Sequence, residues 1–216
     1  MNNFFSTDNW IFQKLSQAAD LAILSVLWIV CCMTIVLIIP GTAALYHTTY
    51  KVVRREYGSL LGEFWQSLKS NCKQGIVLSL LALAGAALVR FSFRFSTLAG
   101  LAEEIRFLYY CVGWITAVVL CLIMVYVCPL LSRFHMPLGK LVGNAFLLGI
   151  RHIPTTLLCA AIVLSAGTGV YLLYILLLFL PALACFAISF PMEKVLIQYM
   201  GDPPQDPADP DRWYWE

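Results

Sequence analysis

The fold class that the sequence predicts is an all-α membrane protein with five transmembrane helices. Three observations carry this: 61% of the 216 residues are hydrophobic, only 12% are charged, and the apolar residues gather into long runs that are almost free of charge. A soluble domain carries about 25% charged residues, so lipid has to cover much of what water would otherwise touch. At this length one domain is the natural expectation. Residues 1–196 are read as a single integral membrane domain, and 197–216 as a disordered acidic, Pro-rich tail.

The spans are expected at about 21–39, 75–90, 107–128, 153–168 and 170–190. A spanning helix needs roughly 20 apolar residues, with a range of about 17–25. The first, third and fifth runs meet that. The second and fourth are short, and span if their flanking residues contribute and basic side chains such as Arg90 and Arg151 snorkel to the interface. Each run is expected to be helical, because backbone amides in hydrocarbon must be paired within their own segment. Pro40-Gly41 is expected to end the first helix and Pro129 the third, and Pro181 lies inside the fifth. The N-terminus has no basic region followed by a cleavage site, so the first run is read as a retained anchor.

Orientation follows from the basic residues. Lys51, Arg54, Arg55, Lys69 and Lys73 lie in 40–73, Arg133, Lys140 and Arg151 in 129–151, and Lys194 and Arg212 beyond the last run. Lys14, Arg90, Arg94 and Arg106 fall on the other side. The richer side is expected to be cytoplasmic, which puts the N-terminus outside and the C-terminus inside. Both cytoplasmic connections read as amphipathic linker helices. Tyr46, Tyr50, Val53 and Tyr57 form one apolar stripe; Leu61, Phe64, Trp65, Leu68 and Cys72 form another, with Gly58 as the break between them. Aligning Arg55 with Arg133 also brings Leu60 onto Leu138 and Lys73 onto Arg151. That correspondence suggests a parallel two-fold repeat followed by a fifth helix.

Several residues invite a functional reading. Lys51, Arg54, Arg55, Lys69, Lys73, Arg133, Lys140 and Arg151 suit contact with anionic lipid head groups, each contributing about 1 kcal/mol, or with a cytoplasmic partner; the positive-inside rule alone accounts for most of them. Pro40, Thr42, Tyr46, Asn71 and Asn144 are candidates for a helix break or cavity wall, with a simple helix boundary at Pro40-Gly41, capped by Thr42, as the plainer account. His47, His135 and His152 have no carboxylate at ligand spacing, so neither a metal site nor a cofactor is expected. Glu56, Glu63 and His47 are the nearest thing to a titratable cluster at the surface. The eight cysteines are read as packing residues. No charge lies at the middle of a run, so a proton-coupled carrier is not expected. Hydrolase, nucleotide-binding and zinc-peptidase motifs are absent, and there is no basic face for nucleic acid.

Trp28, the stretch from Pro40 to Tyr46, Lys51 to Glu56, Phe64-Trp65, and Asn71 to Gln74 resemble the YesL-like family of uncharacterised bacterial membrane proteins. In the second half the resemblance rests on Pro129 to Phe134, Asn144 to Phe146 and Ile153-Pro154. It covers most of residues 21–194 and implies a multi-pass location in a bacterial cell membrane. The family's genes often stand beside carbohydrate-uptake transporter genes. The expected function is therefore non-catalytic: an accessory or regulator of a carbohydrate-uptake system, with that transporter and the bilayer as partners. The alternative is a small-solute, sugar-related permease in its own right.

Overall fold

The computed structural model describes residues 10–54, 58–97, 102–134 and 136–200. Among them every regular element is helical: α1 (Trp10–Met33), α2 (Ile38–Thr48), α3 (Leu60–Ser96), α4 (Glu103–Arg133), α5 (Leu138–Arg151), α6 (Ile153–Leu172) and α7 (Leu180–Leu196). Short 3-10 turns occupy Ile35–Leu37, Tyr174–Leu178 and Ile197–Tyr199, and a π-helical turn covers Thr49–Arg54. Among the described residues five stretches are long and apolar enough to cross a membrane: Leu15–Met33, Leu60–Ser96, Glu103–Arg133, Ile153–Leu172 and Leu180–Tyr199. Arg55, Glu56, Tyr57 of the first stripe, His135 and the Pro-rich stretch 201–216 lie outside the described residues. The regular structure continues past residue 196 into the last 3-10 turn.

Proline sets the helix boundaries, though not where a simple stop rule puts them. A helix running through Pro40 would lose a hydrogen bond and clash with the carbonyl four residues back. The chain instead leaves the helix at Thr34 (φ −101°, ψ 88°) and restarts at Ile38, so that Pro40 falls in the first turn of α2. There its missing N–H costs nothing. Pro40-Gly41 therefore begins a helix and does not end one, and Thr42 lies inside α2. Pro154 and Pro181 likewise sit in the first turns of α6 and α7. The apolar run at 170–190 is consequently split, its first residues finishing α6. Pro129 does not close its helix either; α4 carries on to Arg133, where Leu130 and Leu131 are buried.

Two of these proline-led helix starts are capped by serines from other helices. The Ile39 amide donates to Ser79 Oγ (3.2 Å), and the Ala182 amide donates to Ser25 Oγ (3.2 Å). Both serines are buried, and each satisfies an amide that has no partner within its own helix.

The break at Thr34 turns the first apolar run into a helical hairpin. Trp28 Nε1 donates to Thr42 Oγ1 (3.0 Å), and Leu21, Leu24 and Cys31 share a core with Ala44, Leu45 and Val53. α2 in turn runs antiparallel to α3. Pro40 packs on Gly75, where a Cβ would lie 2.7 Å from the proline ring, and Lys51 reaches Glu63 at the start of α3. Helix α3 is 37 residues long, or about 55 Å at 1.5 Å per residue. The second linker stripe and the second apolar run are thus one helix. Gly58 (φ 87°) breaks the chain before it, and no proline interrupts it afterwards. The stripe is only partly inward: Phe64 and Leu68 are buried, whereas Leu61 and Trp65 are exposed.

α4 pairs with the far half of α3 through Phe93, Tyr110, Trp114, Phe95 and Tyr109. α5 folds back along α4, with Gly149 against Leu122. The Thr156 hydroxyl lies 3.0 Å from the carbonyls of Gly149 and His152 and 3.2 Å from Tyr126 Oη, tying α4, α5 and α6 together. α6 and α7 form the last hairpin, with Gly169 beside Leu180. Five alternating spans would put the two ends of the chain at opposite ends of the bundle. The return of α2 along α1 instead directs the start of α1 toward the end that holds Arg54, Arg133 and Glu193.

Candidate functional site: a buried charge network beneath an apolar cavity

Tyr46, Tyr50 and Val53 lie along α2 and its π-helical turn, and all three are buried. This is the first predicted stripe, but it faces other helices and not a lipid surface. The wider π turn, a form that recurs at functional sites, carries Arg54 toward α7. The Arg54 guanidinium donates to Ser189 O (3.0 Å) and Ser189 Oγ (3.2 Å). It lies 4.2 Å from the ring centre of Phe190 and 5.3 Å from that of Tyr50.

One turn further along α7, Glu193 accepts a hydrogen bond from Tyr46 Oη (2.7 Å) and pairs with Arg133 Nη2 (2.5 Å). Both side chains of the ion pair are only 3% exposed. The Arg133 guanidinium also lies 5.3 Å from the ring centre of Tyr50. Burial first, and the neighbouring Glu193 carboxylate second, push the Tyr46 phenol well above its usual range. It therefore remains a proton donor at any physiological pH.

A second group lies beside the first. Glu63 accepts from Lys51 Nζ (2.8 Å) and sits 3.5 Å from His47 Nε2. Burial and the Lys51 ammonium, with a smaller contribution from Arg133, lower the His47 pKa against the opposing pull of Glu63. Arg133 and Lys51 each pair with a carboxylate and Arg54 is hydrogen-bonded to Ser189, so the arrangement joins α2, the π turn, α3, α4 and α7. It presents no nucleophile activated by a base. Among the described residues no three His, Cys, Asp or Glu side chains come together in a way that could hold a metal ion.

Above Tyr46 lies a cavity of about 380 Å³, walled by Trp28, Thr42, Tyr46 and apolar residues of α4, α6 and α7. The basic residues singled out from the sequence divide into two sets. Lys51, Arg54 and Arg133 turn inward, while Lys69, Lys73, Lys140 and Arg151 are exposed. Lys69 lies over the Trp65 ring and Arg151 over the Tyr199 ring. Of the proposed cavity residues, Thr42 and Tyr46 line the cavity. Pro40 packs on Gly75, and Asn71 donates to the Ser67 carbonyl of its own helix (3.0 Å). Asn144 lies in a separate recess beside Met136 Sδ (3.4 Å). Sequence reasoning missed Glu193 and Ser189, and read Tyr50 only as part of an apolar stripe. A signal for Glu193 was present: it is the one acidic residue between Glu104 and Asp202.

The helices and the network define a multi-helix protein with a buried charge network at one end and flanks that suit an apolar solvent. Residues 21–93, about a third of the chain, match the model of a family described as "Protein of unknown function, DUF624". The match runs from α1 through most of α3, so it includes Tyr46, Tyr50, Arg54 and Glu63 but neither Arg133 nor Glu193. No curated protein and no solved structure shows a significant match.

Proposed function

We propose that the chain is a YesL-like multi-pass protein of a bacterial cell membrane, non-catalytic, and accessory to a carbohydrate-uptake system. The residues that resemble the YesL-like family support this, as does the matched domain, which YesL-like proteins carry. The structural observation that carries the accessory role is the exposed set Lys69, Lys73, Lys140 and Arg151. These side chains are left for anionic lipid or a partner after Lys51, Arg54 and Arg133 have turned inward. In this reading the basic end faces the cytoplasm, and the α1–α2 hairpin brings the start of α1 and the end of α7 to that side. A duplicated unit is part of the same reading, supported by α3 and α5 starting at the aligned residues Leu60 and Leu138.

Affinity purification in mild detergent, followed by mass spectrometry, tests the role. A transporter component is expected to co-purify with the wild type and to be lost when Lys69, Lys73, Lys140 and Arg151 are changed together to Glu. Purification as a lone species, with normal sugar uptake in a deletion strain, overturns the proposal. A Glu56→Ala, Glu63→Ala, His47→Ala variant that folds is expected to retain the phenotype.

The cavity is the one feature that favours the second reading, a small-solute permease. Its walls argue against sugar as the cargo, because a sugar's hydroxyls would be left largely unpaired there. Flux of any candidate sugar into liposomes that contain only this protein would replace the accessory role with the permease.

A further inference from the structure

We propose that the cavity above Tyr46 is a binding site for a single hydrocarbon chain of a fatty-acyl amphiphile. This does not rest on the accessory role. The wall offers three strong hydrogen-bond donors, and each is already engaged. Trp28 Nε1 donates to Thr42 Oγ1, Thr42 Oγ1 to the Ile38 carbonyl (2.6 Å), and Tyr46 Oη to Glu193. The rest of the lining is aliphatic, proline or thiol, including Cys128 and Cys185. An occupant therefore meets almost no polar atom in need of a partner, which excludes a sugar, an ion or a nucleotide.

At about 380 Å³ the space is more than twice an engineered apolar cavity of ~150 Å³ that stays dry and takes up benzene. It lies within the size range of small-molecule pockets. The route in is also apolar. On the α6 wall Val163 is 52% exposed, and Leu157 and Leu164 of the same helix are 65% and 71% exposed. In a membrane such a surface is bathed in acyl chains. Gly167, on the same wall, is exposed, and a Cβ added there would meet nothing within 4 Å.

Photolabelling of the full chain in phosphatidylcholine vesicles tests this. One arm uses phosphatidylcholine with a diazirine near the end of one acyl chain; the other uses the free fatty acid with the same group. Adducts are mapped by mass spectrometry. Labelling of Cys128 and Cys185 is expected, along with Leu157 and Leu164 on the outer face. Gly167→Phe, which adds a ring at the cavity wall, is expected to abolish the Cys128 and Cys185 adducts and spare the outer ones. Gly143→Phe, at an equally open position outside the cavity, is expected to change neither. Ala184→Phe, entering from α7, serves if Gly167→Phe does not fold. Labelling in both arms, or in either one, supports the site and identifies the chain's source as bilayer lipid, free acid or both. Labelling confined to Leu157 and Leu164, or Cys128 and Cys185 adducts that persist in a folded Gly167→Phe or Ala184→Phe variant, overturns it.

Discussion

The two ends of α4 carry the same chemistry in different surroundings. At its start Arg106 pairs with Glu103 at 3.5 Å, with side chains 51% and 92% exposed. At its end Arg133 pairs with Glu193 at 2.5 Å, with both side chains 3% exposed. The first pair is one helical turn apart in sequence and needs no fold beyond the helix itself. The second joins α4 to α7 and forms only when α2, the π turn and both helices are assembled. An exposed pair is screened and contributes little. A buried pair has been stripped of water, so removing one partner leaves an uncompensated charge. The difference shows where the charges of this protein matter for its architecture: at the end where α1, α2, α4 and α7 converge.

The largest expected effect breaks that contrast at the buried end. Glu193→Ala should destabilise the protein by about 3–5 kcal/mol, read as a fall in thermal unfolding temperature in detergent. Replacing both partners together with the phenol that donates to Glu193, as Arg133→Met, Glu193→Leu and Tyr46→Phe, should recover most of the loss, since an apolar set of similar volume that leaves no donor unpaired is often neutral or better. If the triple variant is as unstable as the single one, Arg133 and Glu193 do more than neutralise each other.

Next in size is Gly75→Ala. Its Cβ would sit 2.7 Å from the Pro40 ring, so α2 and α3 must separate, at about 1–3 kcal/mol. Ser79→Ala and Ser25→Ala remove the cross-helix caps of α2 and α7, and each should cost about 0.5–2 kcal/mol. Measuring the two serine variants separately ranks the two proline-led starts.

A smaller effect depends on pH. His47 is packed against Lys51, Glu63 and Arg133, and its pKa is lowered, mainly by burial. The unfolded chain then binds the proton more tightly than the folded one. Stability should be full above the ordinary histidine value of about 6.5 and should decline as pH falls from there toward the folded value. His47→Gln should flatten that part of the pH–stability curve. The smallest expected effect is Arg106→Ala at the exposed end, where no measurable shift in unfolding temperature is expected.

The membrane-type composition, the helical class and the approximate positions of the apolar runs were legible in the sequence, because they follow from hydrophobicity and from the need to pair backbone amides locally. The stripe Tyr46, Tyr50, Val53 was legible for the same reason: helical spacing marks one face. Helix boundaries near proline were not. Pro40 can end a helix or begin one, and the choice fell to Ser79 and Gly75 of α3, which cap and receive the restarted helix. Exposure of the basic residues was equally hidden. Arg54 and Lys140 both read as charges in a linker, yet the first turns in to Ser189 and the second stays at the surface.

By itself, then, the chain determined that its helices would seek an apolar solvent and roughly where they would lie, because those properties depend on residues near one another in sequence. The tertiary structure decided that the first run doubles back, that Arg133 faces Glu193, and that an apolar cavity opens above Tyr46. Each depends on side chains distant in sequence meeting in a low-dielectric interior, where packing and charge pairing select among arrangements that local pattern leaves equivalent.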